Sequence, residues 1–188
     1  MKWDDVMGYK PMRILAFYAP YPQAGKSLAA RWAARRANMH PISFAIPLRN
    51  AVNDIINFPN FYRVVNPPKD KEAIIPHLGV SWRQMMIAFG NAGRGLSVDF
   101  WVRIMDHRMT LQPYDYVIDD LRFQSEYDFL RSKGAKIVRI ENPGREVVLT
   151  MSEGRLEGNP FDAVIVNPRE NLRAYLRNVD EVVKAFWP

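Results

Sequence analysis

Five short apolar runs, set between stretches with helical spacing, punctuate this chain. They are "RILAFYA" (13–19), "PISFAIP" (41–47), "YDYVID" (114–119), "AKIVRI" (135–140) and "FDAVIVN" (161–167). Each is too short for a buried helix and reads as a buried strand. Pro47 is expected to stop the second. Residues 26–38 read as a helix rich in alanine and arginine, and "LRNAVNDIINF" as another. Residues 58–80 are broken by Pro59, Pro67, Pro68 and Pro76, which predicts an irregular excursion with at most a short helix near 70–76. Residues 81–92 place Trp82, Met85, Met86 and Phe89 on one helical face, and 97–110 do the same with Trp101, Ile104 and Met105. "SEYDFLRSKG" is a helix closed by Gly134. The last helix carries a stripe of Leu172, Leu176, Val179, Val183 and Phe186. Strands alternating with helices predict an α/β fold, a five-stranded parallel sheet covered on both faces. Ligands gather at the carboxyl ends of such strands.

The 188 residues, 48% of them hydrophobic, suffice for one domain with a substantial core. No apolar run approaches the ~18 residues of a membrane span, and the N-terminus lacks the apolar centre of a signal peptide. The absence of cysteine excludes disulfides and thiolate metal sites and suits a reducing cytoplasm. His40, His77 and His107 show no ligand spacing. The net charge of +6 comes from 18 arginines and 8 lysines against 20 acids. Arginine grips phosphate with a bidentate fork, so the bias fits an anionic substrate. It would fit nucleic acid too.

The first strand leads into "FYAPYPQAGKSLAARWAARR", Phe17 to Arg36. Its end matches a phosphate-binding loop, G-x-x-x-x-G-K-[ST], but Pro20 stands where the first glycine belongs. Gly-Lys-Ser alone is common by chance; between a strand and a helix it has the required context. Backbone N–H groups from Gln23, Ala24, Gly25, Lys26 and Ser27 would cradle phosphate oxygens. Lys26 would meet the β- and γ-phosphates of a nucleotide, and the Ser27 hydroxyl would hold Mg²⁺. The alternative is a strand-turn-helix corner with an accidental lysine. A second segment, "YVIDDLRF" (116–123), is a strand ending in acids. Asp119 and Asp120 are candidates for the Mg²⁺ shell, with Arg122 close behind. Alternatively, the two aspartates cap the helix near 124–126.

"SFAIPLR", "DKEAIIPHLGVSWRQMMIAFGNAGR", "DFWVR", "VIDDLRFQSEYDFLRSKGAKIVRIENPG" and "DAVIVN" occur in this order. Together, over residues 13–183, they resemble the phage-type deoxynucleoside monophosphate kinase family. The resemblance implies a P-loop kinase fold that moves the γ-phosphate of ATP to a deoxynucleoside 5′-monophosphate (dNMP), supplying precursors for phage DNA in the host cytoplasm. It implies a single domain over 1–188, with a helical dNMP-binding insertion near 47–112 and a lid-like segment near 141–160. Gly25, Lys26 and Ser27 would hold ATP and Mg²⁺. Asp120 matches the aspartate of the D-x-R-F segment and Arg122 its arginine. Arg83 and Arg94 match the arginines of the S-x-R…G-R helix. Asp99, Phe100, Trp101 and Arg103 match D-F-W-x-R, and Arg49 the basic residue after F-A-x-P-L. Asn91 and Ala92 depart from the usual threonine and glutamate, and Pro20 from the usual small residue.

On this reading the substrates are ATP and dNMP, the metal is Mg²⁺, and a homodimer is a reasonable assembly. Arg122 is the foremost catalytic arginine, with Arg145 in a loop able to close as a lid. Asn167 lies where adenine would sit. The arginines are scattered rather than gathered in one run, which argues against a nucleic-acid partner, and nothing points to a membrane. The rival readings are a non-catalytic nucleotide binder with a degenerate loop and a basic nucleic-acid-binding protein.

Overall fold

The computed structural model describes residues 11–56, 70–144, 155–168 and 170–188. They group into two compact units, Met1–Ile42 with Met109–Pro188, and Ser43–Arg108.

The first unit is built on strands β1 (Ile14–Tyr18), β2 (His40–Ile42), β5 (Tyr116–Ile118), β6 (Lys136–Glu141) and β7 (Ala163–Val166). They form one sheet in the order β2-β5-β1-β6-β7, every neighbouring pair parallel. All five residues of β1 are buried, as a central strand with both faces covered demands. Leu15 and Phe17 point to one face. There they join Val117, Val138, Ile140 and Ile165 in a core closed by helices α1 (Lys26–Ala37) and α6 (Leu172–Phe186). Each fully buried side chain of this size contributes on the order of 2 kcal/mol. Alanines 29, 30 and 33 let α1 lie close to the sheet. The alternate residues, Ile14, Ala16 and Tyr18, are equally buried on the opposite face. There Tyr18 stacks on Phe161 at 5.3 Å, and Phe161 meets Tyr127 of α5 (Gln124–Ser132) edge-on at 6.3 Å. Helices α1 and α5 therefore cover opposite faces.

In the second unit α2 (Ile46–Ile56) packs with a two-residue hairpin, β3 (Ile74–Ile75) and β4 (Val80–Ser81), and with α3 (Trp82–Leu96). Helix α4 (Phe100–Leu111) follows, its last turn counted in the first unit. Leu48, Val52, Trp82 and Met85 form the core. Ser81 caps α3. Its Oγ accepts the Gln84 N–H, and the Gln84 amide oxygen accepts the Ser81 N–H at 2.7 Å. The Trp101 indole N–H donates to the Gly90 carbonyl at 3.0 Å, and its ring lies against Gly93.

Several local expectations change. Pro47 does not stop a strand; β2 ends at Ile42, and Pro47 sits in the first turn of α2, where a missing N–H is harmless. Residues 74–81 form the hairpin, not a short helix near 70–76; the Ile75 carbonyl closes the turn onto the N–H groups of Leu78 and Gly79. Phe89 is 40% exposed, off the buried face of α3. On α6 Leu172 is exposed, and Tyr175 takes its place in the core. No helix among the described residues is long and apolar enough to cross a membrane.

Candidate functional site

β1 and β5 are neighbours, with Ala16 paired to Ile118, yet the helices that follow them cover opposite faces. Such a divergence opens a crevice at the carboxyl edge of a parallel sheet. Two segments emerge there: residues 19–25 after β1, and residues 119–123 after β5.

The first segment is bent by two left-handed residues, Gln23 (φ 56°) and Gly25 (φ 101°). Asn167, just past β7, donates its side-chain amide to the Ala24 carbonyl at 2.9 Å. The Gly25 carbonyl accepts the Tyr175 hydroxyl at 3.1 Å and the N–H groups of Leu28 and Ala29 at 3.0 Å. Two consecutive carbonyls thus point back into the fold. In a trans peptide the next N–H points the opposite way. The N–H groups of Gly25 and Lys26 therefore face away from Asn167 and Tyr175. Glycine is required at 25 on two counts: the left-handed φ, and a Cβ that would lie 2.8 Å from the Asn167 amide nitrogen. Position 20 makes no such demand. Pro20 is buried, and the turn is made three and five residues later.

Lys26 opens α1 with 9% of its surface exposed; Ser27 is exposed. The N-cap of α1 is Gly25, which has no side chain to cap it, and the first turn of the helix holds no acid. The positive end of its dipole lies at this turn. Further support comes from Tyr21, whose hydroxyl oxygen accepts the Asn142 N–H beyond β6, and from Asn142, whose amide donates to the Asn167 carbonyl at 3.4 Å.

In the second segment Leu121 is fully buried, while Asp119, Asp120 and Arg122 are half-buried. Neither aspartate is the N-cap residue of α5. Its N-cap is Phe123, which offers no acceptor, and Glu126 reaches back instead. One carboxylate oxygen, Oε2, accepts the main-chain N–H groups of Arg122 at 2.9 Å and Phe123 at 3.1 Å. Glu126 is 6% exposed. Burial first, and then the negative charge of Asp120, raise its pKa to about 8; the two N–H bonds and the Arg122 cation oppose this.

The first unit thus brings Gln23, Ala24, Gly25, Lys26, Ser27, Asp120, Arg122 and Asn167 to the carboxyl edge of one sheet. Asn167 is tied to the loop by its side chain. Tyr175, Tyr21 and Asn142 escaped the sequence reading. Tyr175 was visible in principle, since it stands four residues before Val179 and eight before Val183.

Arg49, Arg83, Arg94, Asp99, Phe100 and Trp101 belong to the second unit. Arg83 pairs with Glu72, both exposed. Arg94 donates to the Asn91 side chain at 2.8 Å. Arg49 is half-buried on α2, and Asp99 is exposed, its carbonyl accepting the Arg103 N–H. Phe100 and Trp101 meet edge-on at 4.9 Å beside Gly93. Arg145 lies outside the described residues. Among the described residues no three His, Cys, Asp or Glu side chains cluster as a metal site.

The chain matches none of the protein-family models compared with it and none of the curated proteins searched.

Proposed function

We propose that this chain is a P-loop kinase that transfers the γ-phosphate of ATP to a deoxynucleoside 5′-monophosphate. One observation carries the reading. The Ala24 and Gly25 carbonyls are tied to Asn167 and Tyr175, so two successive N–H groups turn away from them at the start of α1, beside Lys26. Oriented amides, a helix N-terminus and a lysine together suit a phosphate chain. Gln23 adds weight: a non-glycine residue held left-handed stores strain, which gathers at functional sites. The order of motifs along the sequence supplies the acceptor class.

The acceptor phosphate is already ionised, so no general base is needed. One of its oxygens forms a bond to the γ-phosphorus as the bond to the β-bridging oxygen breaks. Catalysis is positioning and charge neutralisation. Lys26 would neutralise the β- and γ-phosphates, and Arg122 would span the acceptor and the transferring group. Mg²⁺ on a nucleotide takes one or two protein ligands, the rest coming from phosphate and water. Half-buried Asp120 and the Ser27 hydroxyl fit that role without a three-ligand cluster. Bound there, Mg²⁺ would supply charge neutralisation on the phosphates.

Arg49, Arg83, Arg94, Asp99 and Phe100 would recognise the dNMP. The exposed Arg83–Glu72 pair is of a kind worth about 0.2–1 kcal/mol, so releasing Arg83 is cheap. The packing of Trp101 on Gly93 favours a scaffold role over base stacking. A coupled assay for ADP release with each dNMP tests the reading. At least one dNMP should give ADP in stoichiometric amount, and ATP without acceptor should give little. ATP binding with no turnover on any dNMP would instead identify a non-catalytic nucleotide binder.

A further inference from the structure

We propose that Glu126 is a positioning residue that clamps the backbone of Arg122 and Phe123, so that Asp120 and Arg122 are presented together at the end of β5. The inference rests on the kinase reading for what the two side chains do, but the clamp itself stands on geometry. A glutamate at the third position of a helix often reaches back to the N-cap N–H, and on a surface this is worth little more than a cap. Here the residue is 6% exposed, and Oε2 takes two amides rather than one, from Arg122 and Phe123. The clamped stretch is short and held at both ends. On one side β5 is paired with β1 through Ile118. Between them Leu121 is fully buried.

Backbone bonds at 122 and 123 and a buried anchor at 121 leave the peptide planes of this turn little freedom. The side chains of Asp120 and Arg122, on either side of Leu121, inherit that constraint. Burying a carboxylate near another acid is unfavourable unless something compensates. The two N–H bonds offset part of that penalty, and local conflicts of this kind mark positions retained for function. Loss of the carboxylate would remove both of these bonds from the turn at once.

Three variants separate a positioning role from a merely structural one. Glu126→Gln keeps an acceptor oxygen of the same reach. Glu126→Asp keeps a carboxyl group but is one methylene too short, and Glu126→Ala removes the group altogether. Amide exchange at Arg122 and Phe123, followed by NMR in the absence of nucleotide, reads the clamp without reference to activity. The expected result is loss of protection at these two amides in Glu126→Asp and Glu126→Ala, with the strand amides unchanged, and restored protection in Glu126→Gln. In steady-state kinetics kcat should fall about tenfold or more in the Asp and Ala variants with ATP KM nearly unchanged. Glu126→Gln should restore kcat to within about threefold of wild type. If Glu126→Ala does not fold, Glu126→Asp against Glu126→Gln carries the comparison. Undiminished protection in Glu126→Asp overturns the clamp. Lost protection with full kcat overturns positioning, as does a Gln variant that keeps protection but not kcat. A wild-type chain that transfers no phosphate is a different failure, that of the kinase reading, and the exchange experiment still decides the clamp.

Discussion

Gly25 is the residue where two requirements meet, a left-handed backbone and no room for a Cβ beside Asn167 and Tyr175. Gly25→Ala is expected to destabilise the fold by about 1–3 kcal/mol and to weaken ATP binding, measured by thermal unfolding and calorimetric titration. An unchanged melting temperature would show that the loop relaxes at no penalty. Glu126 carries a second expectation, in pH. Its pKa moves from the ordinary 4.5 to about 8 on folding. Between those values the folded chain keeps a proton that the unfolded chain releases, so its contribution to stability falls as pH rises through that window. Glu126→Gln does not titrate. Its stability relative to wild type should therefore increase from about pH 5 to about pH 8, read by melts in a chelator. A difference independent of pH would mean that the carboxyl is already ionised in the folded state near its ordinary value.

At the level of elements, the central strand was legible because burial on both faces leaves an unbroken apolar run, Ile14 to Tyr18. Gly134 was legible as the stop after α5 because a left-handed residue there suits glycine, and its φ is +75°. Pro47 was misread because proline ends a strand and begins a helix equally well, and only the packing of α2 decides between them. The hairpin at 74–81 was invisible because two-residue strands leave no periodicity. The support of the loop was hidden for another reason. Asn167 and Tyr175 are more than 140 residues from their carbonyl partners, and the Cα of 24 and 25 meet them only once the sheet is assembled. Two substitutions test elements directly. Pro20→Gly should change ATP KM only modestly, because the left-handed turn lies at Gln23 and Gly25, and should lower stability by about 0.4–1 kcal/mol through a freer unfolded chain. A large rise in kcat would show that proline impairs the loop. Gly93→Ala should destabilise the α3–α4 pair, since its Cβ would fall 2.7 Å from the Trp101 ring. The expected loss is about 1–3 kcal/mol in thermal unfolding, against the gain of up to about 1 kcal/mol that alanine brings to a helix interior.

For the whole molecule, the account holds that one edge of a five-stranded parallel sheet is a site for the transfer of phosphate between nucleotides. On that proposal the arginine bias would serve a chemistry that brings two highly charged groups together. The most direct test is to follow γ-labelled ATP with saturating dNMP in a single turnover, using wild type, Lys26→Ala and Arg122→Lys. The account predicts that label appears on a deoxynucleoside diphosphate in the wild type. Lys26→Ala should fold and slow that transfer on the order of 10²-fold. Arg122→Lys should still bind ATP but slow it roughly tenfold or more, since a point charge replaces a planar fork. Label that remains on ATP, that appears only as inorganic phosphate, or that reaches the dNMP at full rate in both variants would contradict it.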